Sequence, residues 1–356
     1  MISISIYLIF ALGLSSANIS VLKVTQNASF GIEENQVNEI GISVLCLGGD
    51  TILVASGIGL WGQFDREKPW RKLIDCINFR ETEWYDACSE KDEWNQFYDP
   101  NGMWRTSTGN EIVIFDDFCN CLFKLNLENN SKHYLTHWNE WHWQGGVHFQ
   151  NFSFYGERII SGISPLKKKL VAIGQTDRKD YIAIFEPPEL LDTRLDSTGI
   201  KGLVVNPVYN PIDSSIWVAG YGFENVYIIN TEGKLLDSIA LTASDFRLPS
   251  PPISRVQSRA VFFDWLSKWT PITSINYVPT GHILLQYRIG YEKLGNDSIP
   301  LYSTIVWTAD RQRIELEVNR HWQVAGVQPD GRVIFAHYQL DGEKIQIVLD
   351  ITRLEP

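Results

Sequence analysis

The feature of this sequence that most constrains its fold is a short β-type run that recurs six times along the chain. The six runs cover residues 51–56, 111–116, 168–173, 215–220, 282–287 and 332–337. Their starts are spaced by 60, 57, 47, 67 and 50 residues. Each run follows a tight-turn signal rich in Gly, Pro and Asp, and each precedes a second strand-like run. The pattern predicts six copies of one antiparallel unit.

Each unit has room for four strands. The fourth unit shows them best, at residues 202–206, 215–221, 225–231 and 235–240. Four-stranded sheets repeated radially form a β-propeller, which leaves only short edges exposed. The sixth unit stops at its third strand, so we expect residues 20–24 to supply its outer strand and to latch the ring. The sequence therefore predicts an all-β fold, a six-bladed propeller, over residues 18–356 as one domain.

The second unit carries a family resemblance. It has a Pro-x-Gly entry at Pro100, a small turn at Gly109, an apolar strand that ends at Asp116, and Asn120 before the next strand. This arrangement resembles the NHL-type repeat, and the chain as a whole resembles six-bladed propellers of the NHL/TolB-like type. That superfamily contains hydrolases, lactonases, lyases and non-catalytic binding proteins. The resemblance therefore implies a fold and leaves the activity open.

The amino terminus predicts export. Residues 6–14 form a short apolar run, no charged residue precedes Lys23, and small residues at Ser15 and Ala17 fit a signal-peptidase site. We expect residues 1–17 to be a signal peptide and the mature protein to be secreted or periplasmic. A buried β-strand that mimics a signal peptide is the alternative. No later segment has 18 uninterrupted apolar residues, so the mature chain is expected to contain no integral membrane segment.

The net charge narrows the classes of partner. A net charge of −11 disfavours a nucleic-acid surface, since phosphate binding needs concentrated Lys and Arg.

The chain contains five cysteines. In an exported chain, they allow a disulfide between Cys76 and Cys88, with Cys46 as a candidate partner for Cys119 or Cys121. Unpaired buried thiols are the alternative.

The predicted long connections all fall at one end of the propeller. Residues 80–99, 138–157 and 242–270 are predicted to link one unit to the next, and 290–301 to form a loop between second and third strands. In an antiparallel four-stranded unit these two kinds of connection lie at the same end. Within 242–270, apolar residues at helical spacing predict a short amphipathic helix. We expect binding at this end, because loops on a rigid scaffold usually carry function.

Aromatic residues are crowded in the same links. Eight of the 13 Trp residues fall between residues 61 and 143, and five of them lie in the first two long links. These five candidate ligand-binding residues are Trp84, Trp94, Trp138, Trp141 and Trp143. Aromatic rings with neighbouring carboxylates suit sugars, or cations held over a ring face. The alternative is that these side chains pack inward and rigidify the links.

Candidate polar groups lie near the same end. His137, His142 and His148 could hold a divalent metal beside the central channel, although hydrogen bonding within packed loops is the alternative. Acidic and amide residues predicted at or beside loops between second and third strands could also ring the channel mouth. They are Asp116, Asp117, Asp177, Glu224, Asn225 and Asp341. Turns also recruit Asp and Asn for backbone reasons.

Three classes of function remain open. The leading interpretation is an exported propeller that binds carbohydrate or peptide at its long-loop end, with no catalytic residue assigned. A metal-dependent hydrolase or lyase at the channel mouth is the second, and a protein-interaction module of a cell-envelope assembly is the third. A Gly57-x-Gly59-x-x-Gly62 match to a dinucleotide fingerprint is rejected, because no amphipathic helix follows it to bind a pyrophosphate.

Overall fold

The structure is a computed structural model. It describes residues 24–25, 31–32, 42–48, 51–56, 59–63, 71–75, 100–105, 111–116, 121–129, 132–137, 149–155, 158–163, 169–175, 181–186, 205–220, 223–241, 270–294, 297–316, 318–328, 330–341 and 344–354. Within these residues all regular structure is β-strand, and no helix occurs. No helix of this described part is long and apolar enough to span a membrane.

The strands form six antiparallel sheets, which we number in chain order. Two short strands come first, β1 (Val24–Thr25) and β2 (Gly31–Ile32). Sheet 1 contains β3 (Ile42–Gly48), β4 (Thr51–Ser56), β5 (Gly59–Gln63) and β6 (Arg71–Asp75). Sheet 2 contains β7 (Pro100–Arg105), β8 (Glu111–Asp116), β9 (Cys121–Asn126) and β10 (Lys132–His137). Sheet 3 contains β11 (Phe149–Tyr155), β12 (Arg158–Ile163), β13 (Val171–Gln175) and β14 (Tyr181–Ala183). Sheet 4 contains β15 (Val205–Asn210), β16 (Ser215–Gly220), β17 (Asn225–Ile229) and β18 (Leu235–Ala240). Sheet 5 contains β19 (Ile272–Val278), β20 (His282–Leu294), β21 (Asp297–Trp307) and β22 (Arg313–Leu316). Sheet 6 contains β23 (Gln323–Val327), β24 (Arg332–Asp341) and β25 (Lys344–Arg353), together with β1 and β2.

The amino-terminal strands complete sheet 6. Val24 lies opposite Ile351 in an antiparallel pairing of β1 with β25, and Gly31 lies opposite Gln346 in the pairing of β2 with the same strand. The amino terminus therefore adds outer strands to sheet 6, as predicted, while closure of a ring by these strands stays a prediction. The predicted bounds were residues 20–24, of which only Val24 is described, and the paired segments extend further along the chain.

Five of the six recurrent runs are second strands, as predicted. β4, β8 and β16 have the predicted bounds, while β20 and β24 begin at the predicted residue and run further. The prediction for sheet 3 is wrong by one strand, because 168–173 falls on the third strand, β13, and 181–185 on the fourth, β14. The first two strands, β11 and β12, lie within and after the predicted link 138–157. Their interspersed Gln, Asn, Ser and Gly obscure the apolar pattern.

This correction also affects Asp177, which lies outside the described residues. In chain order it comes between the third and fourth strands of sheet 3, whereas the sequence interpretation placed it beside a loop between second and third strands. The segment 290–301 is also not a loop. It is the far part of a long hairpin in which β20 and β21 stay paired from Ile283–Trp307 to Leu294–Asp297.

The core lies between neighbouring sheets. In sheet 4, every residue of β15 and β16 is buried, whereas the outer strand β18 is mostly exposed. Strands that are buried on both faces need apolar side chains in consecutive positions, which explains the runs that reveal the repeat. Trp217 of sheet 4 packs against Trp307 of sheet 5, with ring centroids 5.8 Å apart. Burial of each such side chain contributes roughly 1.5–3 kcal/mol to the free energy of unfolding.

The six sheets lie side by side through their first strands. The strands β3, β7, β11, β15, β19 and β23 contact one another in that order, and β23 also contacts β3. The sheets share a β-propeller-like arrangement, which places their ends in two sets. At one end of each sheet, a turn joins the first strand to the second, and another turn joins the third strand to the fourth. We call this end the short-turn end. The opposite end, with the second-to-third connections and the links between sheets, is the long-connection end.

Contacts between sheets support this division for sheets 4 to 6. At the short-turn end, Arg311 of sheet 5 forms ion pairs with Asp213 and Asp237 of sheet 4, at 3.7 and 2.7 Å. At the long-connection end, the hydroxyl of Tyr302 in sheet 5 donates to Oε1 of Gln323 in sheet 6 over 3.5 Å. Sheets 4, 5 and 6 therefore present equivalent ends on the same side.

Two further expectations fall wholly or mostly outside the described residues. The predicted helix in 242–270 lies almost wholly there. Of the cysteines, Cys76, Cys88 and Cys119 also lie there, whereas Cys46 is in β3 and Cys121 is in β9. The disulfide pairing and the helix stay predictions.

Candidate functional site

Most of the sequence-predicted site residues lie outside the described residues. They are Trp84, Trp94, Trp138, Trp141, Trp143, Asp117, Asp177, His142 and His148. Five are placed by the structure, and all five are at the long-connection end. Asp116 is the last residue of β8, His137 is the last residue of β10, and Asp341 is the last residue of β24. Glu224 immediately precedes β17, which begins at Asn225. The structure thus brings these five to one end of their sheets, while their roles stay predictions.

Glu224 is exposed, and its carbonyl oxygen accepts a hydrogen bond from the amide of Leu241 over 2.8 Å. Nearby Tyr227 packs edge-on against Phe223, with ring centroids 5.5 Å apart. Burial raises the pKa of the Tyr227 hydroxyl, and the charge of Glu224 adds to that rise. The hydroxyl therefore stays protonated at neutral pH and can donate a hydrogen bond.

Metal ligation finds no support among the residues that the structure describes. No group of three or more His, Cys, Asp or Glu side chains converges there. Of the three predicted metal ligands, only His137 is described, so the predicted metal site itself stays a prediction.

The far half of the β20–β21 hairpin lies at the long-connection end, and we call its described residues, 288–294 and 297–302, the arm. β19 pairs with β20 only as far as Tyr287, so the arm projects beyond the rest of sheet 5. On the arm, the Arg288 guanidinium lies over the ring of Tyr291, 4.7 Å from its centroid. Tyr291 is 42% exposed. The arm therefore presents an aromatic ring, one face of which is backed by a cation.

Backbone hydrogen bonds anchor the base of the arm on both edges. The amide of Arg288 donates to the carbonyl of Pro271 over 2.9 Å, and the amide of Tyr302 donates to the carbonyl of Arg320 over 2.6 Å. Arg288 and Tyr302 are also cross-strand partners, so their side chains lie on the same face of the hairpin. Because the Tyr302 hydroxyl reaches Gln323, that face is turned toward sheet 6.

An imidazole–carboxylate pair joins the arm to the link that enters sheet 6. Nε2 of His321 lies 3.2 Å from Oε2 of Glu292. The other ring nitrogen of His321, Nδ1, is buried and makes no hydrogen bond among the described residues. This geometry favours a tautomer in which Nε2–H donates to Glu292. The arm is thereby tied to the residues just before β23.

A second imidazole–carboxylate pair lies in sheet 6. Nδ1 of His337 is 3.4 Å from Oδ2 of Asp350, and the side chains are 18% and 10% exposed. The His337 ring stacks on the ring of Trp322 at 5.9 Å and an interplanar angle of 20°. Trp322 in turn contacts Phe335 in the core between sheets 5 and 6. His337 is therefore held on one side by a carboxylate and on a ring face by an indole.

Gln286 fixes the position of Trp322. Its Nε2 donates to Thr304 Oγ1 over 3.0 Å and to the Trp322 carbonyl over 2.9 Å, and its Oε1 accepts from the amide of Val324 over 2.8 Å. Gln286 is fully buried. The side chain of Gln286 therefore connects sheets 5 and 6 rigidly. A shift of one sheet against the other would break these bonds and leave buried polar groups unpaired.

These groups together form what we call the sheet 5–6 junction. Its members are Arg288, Tyr291, Glu292, Tyr302, His321, Trp322, Gln323, His337 and Asp350. Next to it in β24, burial raises the pKa of Tyr338 to about 12, so that hydroxyl is not a base at neutral pH. The junction combines an exposed ring, two imidazole–carboxylate pairs and several hydrogen-bonding groups. Such a set can recognise a polar ligand.

The sequence interpretation did not select the junction residues. A usable signal was present, because Gly295–Asn296 lies between two strand-like runs, and this dipeptide is typical of two-residue hairpin turns. It would have predicted an extended hairpin instead of a loop at 290–301. The approach of His321 to Glu292 and of His337 to Asp350 depends on how sheets pack and had no local signal.

Comparisons with known proteins show the fold alone. No protein-family model matches the chain, and no curated protein sequence matches it. Among solved structures, a member of the DUF4221 family from Bacteroides vulgatus is similar over 94% of this chain and 99% of its own, with a TM-score of 0.60 and 10% identity. A structural genomics protein of unknown function from Bacteroides thetaiotaomicron is similar over 91% of this chain and 72% of its own, with a TM-score of 0.52 and 8% identity.

A third similar structure is a Bacteroides fragilis protein that is designated as exported. It matches 96% of this chain and 97% of its own, with a TM-score of 0.52 and 9% identity. Because the likenesses cover nearly the whole chain at low identity, they establish a shared β-propeller-like fold and carry no assignment of chemistry.

Proposed function

We propose that this protein is an exported six-bladed β-propeller of the NHL/TolB-like type that binds a ligand, a carbohydrate or a peptide, at its long-connection end. Residues 1–17 are its signal peptide, and residues 18–356 form one propeller domain. The observation that carries the proposal is that the projecting arm and the imidazole–carboxylate pairs of the sheet 5–6 junction lie at one end of their sheets.

Two observations support a closed ring of six blades. The first strands contact one another in order, including β23 with β3, and the amino-terminal strands pair with β25. A variant that lacks residues 18–32 should have a lower free energy of unfolding, because it uncovers the edge of β25. A matched control that lacks only residues 18–23 retains β1 and β2 and should keep its stability. Equal stability of the two variants would contradict the closure.

Export is supported by the apolar run at residues 6–14 and by the designation of the similar Bacteroides fragilis protein as exported. In a bacterial expression host, we expect the full chain to be recovered outside the cytoplasm with an amino terminus at Asn18. Recovery of the uncleaved chain in the cytoplasm would argue that residues 6–14 are not a signal.

Ligand binding is tested with the mature protein on an oligosaccharide array and a peptide array. We expect reproducible binding to one ligand class, and reduced binding by Trp141→Ala, since this residue belongs to a long link. Ile212→Ala is the matched control, because Ile212 is 63% exposed in a turn at the short-turn end. Absence of binding to both arrays would contradict the proposed function.

A further inference from the structure

One level of the first strands is polar in five of the six sheets. The level is defined by the fifth residue of each second strand and by the first-strand residue that lies opposite it. The first-strand residues at this level, which we call the polar level, are Ser43, Gln150, Asn206, Ser274 and Gln323. Sheet 2 differs, since Gly102 lies opposite Phe115 there. Because each second strand runs toward the long-connection end, the polar level lies near that end.

The best described polar groups lie on equivalent faces of two neighbouring sheets. Asn206 lies opposite Ala219, on the face of sheet 4 that packs against sheet 5. Ser274 and Asn276 share the face of sheet 5 that packs against sheet 6, since Asn276 lies opposite Leu284 of that core cluster. Their strands, β15 and β19, also contact each other. The polar groups therefore recur at the inner edges of successive interfaces between sheets.

Three of these polar groups lack a hydrogen-bond partner. Nδ2 of Asn206, Oγ of Ser274 and Nδ2 of Asn276 are buried and make no hydrogen bond among the described residues. Asn206 itself is only 3% exposed. A buried donor without a partner destabilises a folded protein, so natural proteins contain few of them. Groups that stabilise nothing in the ligand-free protein are available to bind a ligand.

The first strands carry almost no charge. Those of sheets 1, 3, 4, 5 and 6 contain no charged residue. In sheet 2, Arg105 lies at the opposite, short-turn end of β7. An ionic ligand at the polar level would lose its hydration without gaining a charged partner. A neutral ligand with hydroxyl groups avoids this cost, and each hydroxyl can both donate and accept a hydrogen bond.

We infer that the polar level is the binding site and that its ligand is a neutral saccharide. This inference rests on the proposed function, because it names the site and the ligand class for the binding proposed there. In the proposed propeller the first strands surround a channel, so residues at one level surround a ligand. A sugar has hydroxyls on all its sides, whereas an extended peptide has its polar groups along a line and meets one level with one or two residues. The polar level therefore favours a sugar over a peptide.

The test uses the mature protein, residues 18–356, and an array of neutral oligosaccharides, uronate-containing oligosaccharides and peptides. Calorimetric titration with the array member that binds best then measures the affinity. Asn206→Leu and Ser274→Ala each remove one unpaired group. We expect the first to weaken binding at least about tenfold and the second at least about fivefold. In both variants, the midpoint of urea unfolding without ligand should stay at or above that of the wild type, because no existing bond is lost.

Each variant has a neighbouring control whose side chain is already hydrogen-bonded. Asn210 lies on the same strand as Asn206, and its Oδ1 accepts from the amide two residues further along the chain over 3.1 Å. The Thr273 hydroxyl, next to Ser274, donates to the carbonyl of Gln286 over 3.1 Å. Asn210→Leu and Thr273→Val break these bonds, so they should lower the unfolding midpoint and leave the affinity within about twofold of the wild type.

The outcomes separate this inference from the proposed function. Binding of a neutral saccharide that Asn206→Leu and Ser274→Ala both weaken, without loss of stability, supports both. Saccharide binding that either variant leaves unchanged overturns the site and retains the function. An unfolding midpoint that falls as far in these variants as in their controls shows a structural role and also overturns the site. Binding of uronate-containing oligosaccharides or peptides alone overturns the ligand class, and binding of nothing on the array overturns both.

Discussion

The two ends of the sheets are specified in different ways. At the short-turn end, backbone geometry dominates: Gly233, Gly281 and Gly331 have positive φ angles of 84°, 92° and 85°. Side-chain oxygens also hold the turns, as when Asn230 Oδ1 accepts from the amides of Glu232 and Lys234 at 3.1 and 2.8 Å. At the long-connection end, side chains from different sheets make the contacts, as His321 does with Glu292.

This difference separates the residues that determine how the sheets pack from the residues that are available to bind a ligand. The short turns touch neighbouring sheets directly, so their conformation sets how the sheets pack. A Cβ on Gly331 would lie 3.0 Å from Cγ2 of Thr280 in the preceding sheet. Among the described residues of the long-connection end, Gly290 has no atom within 4 Å of an added Cβ. Functional groups accumulate where the backbone is least constrained by packing.

The largest expected effect comes from Gly233→Ala. The added Cβ would lie 2.1 Å from the carbonyl oxygen of Ile184 in sheet 3, and the residue has a φ of 84°. Backbone atoms on both sides must move, so we expect a loss of about 4 kcal/mol in the free energy of unfolding, the sum of strain and overpacking. Urea denaturation monitored by tryptophan fluorescence measures it.

Gly290→Ala is the matched control at the long-connection end. No atom lies within 4 Å of a Cβ added there. We expect a change of less than about 1 kcal/mol, as for most substitutions away from packed sites. A loss at Gly290 as large as that at Gly233 would contradict the difference between the two ends.

Gln286→Leu should be the next most damaging change. Leu has a similar volume, but it leaves the Trp322 carbonyl and the Val324 amide without the bonds that Gln286 now makes. Unsatisfied buried groups cost about 1–3 kcal/mol each, so we expect a loss of about 3 kcal/mol. Equilibrium unfolding measures this loss.

The position of Trp322 provides a second readout for this change. Because Gln286 holds Trp322 against His337, Gln286→Leu should also alter the fluorescence of the folded protein. Gln323→Leu is a suitable control, since Gln323 is only partly buried and its bond to Tyr302 is long, at 3.5 Å. An equal loss of stability in both variants would show that the bonds of Gln286 between sheets 5 and 6 contribute no more than the bond of Gln323.

The sequence predicted the parts of the fold that depend on local chemistry. Residues 51–56, 111–116 and 215–220 are strands with the predicted bounds, because each is an apolar run bracketed by turn residues. It failed in sheet 3, where the polar residues of β11 and β12 weaken the apolar pattern. It also failed at 290–301, where charged residues are tolerated because the hairpin projects beyond the core.

The junction was less predictable than the fold. His337 and Asp350 are 13 residues apart, and they meet because β24 and β25 are paired in a register that places Phe335 opposite Asp350. Glu292 and His321 meet only because the arm packs beside the link to sheet 6. Neither contact follows from spacing in the sequence. The Trp residues that the sequence did single out lie in links outside the described part of the chain.

Acid should weaken the short-turn end through His282. Burial lowers the pKa of this imidazole, and the nearby carboxylate of Asp310 opposes that shift. His282 Nδ1 also lies 2.6 Å from the Thr280 hydroxyl. The unfolded chain, with a His pKa of about 6.5, takes up the proton at higher pH than the folded protein does. The stability contributed by neutral His282 is therefore present above about pH 6.5 and is lost as the pH falls toward the lowered folded pKa.

His282→Gln measures this contribution, because Gln cannot titrate. Urea unfolding at pH 7.5 and pH 5.5 should show a smaller acid-induced loss of stability in the variant than in the wild type. His321→Gln at the long-connection end is the comparison, since its partner Glu292 is 60% exposed. An identical pH dependence in wild type and His282→Gln would contradict the assignment.

The smallest expected effect is that of the ion pair between Arg311 and Asp237. The two side chains approach within 2.7 Å, yet they are 42% and 47% exposed, so solvent screens their attraction. Arg311 also has a φ of 64°, a conformation that a non-glycine residue adopts at some energetic cost. A double-mutant cycle of Arg311→Gln and Asp237→Asn should give a coupling below about 1 kcal/mol. A larger coupling would mean that side chains, and not turn geometry, hold sheets 4 and 5 together at this end.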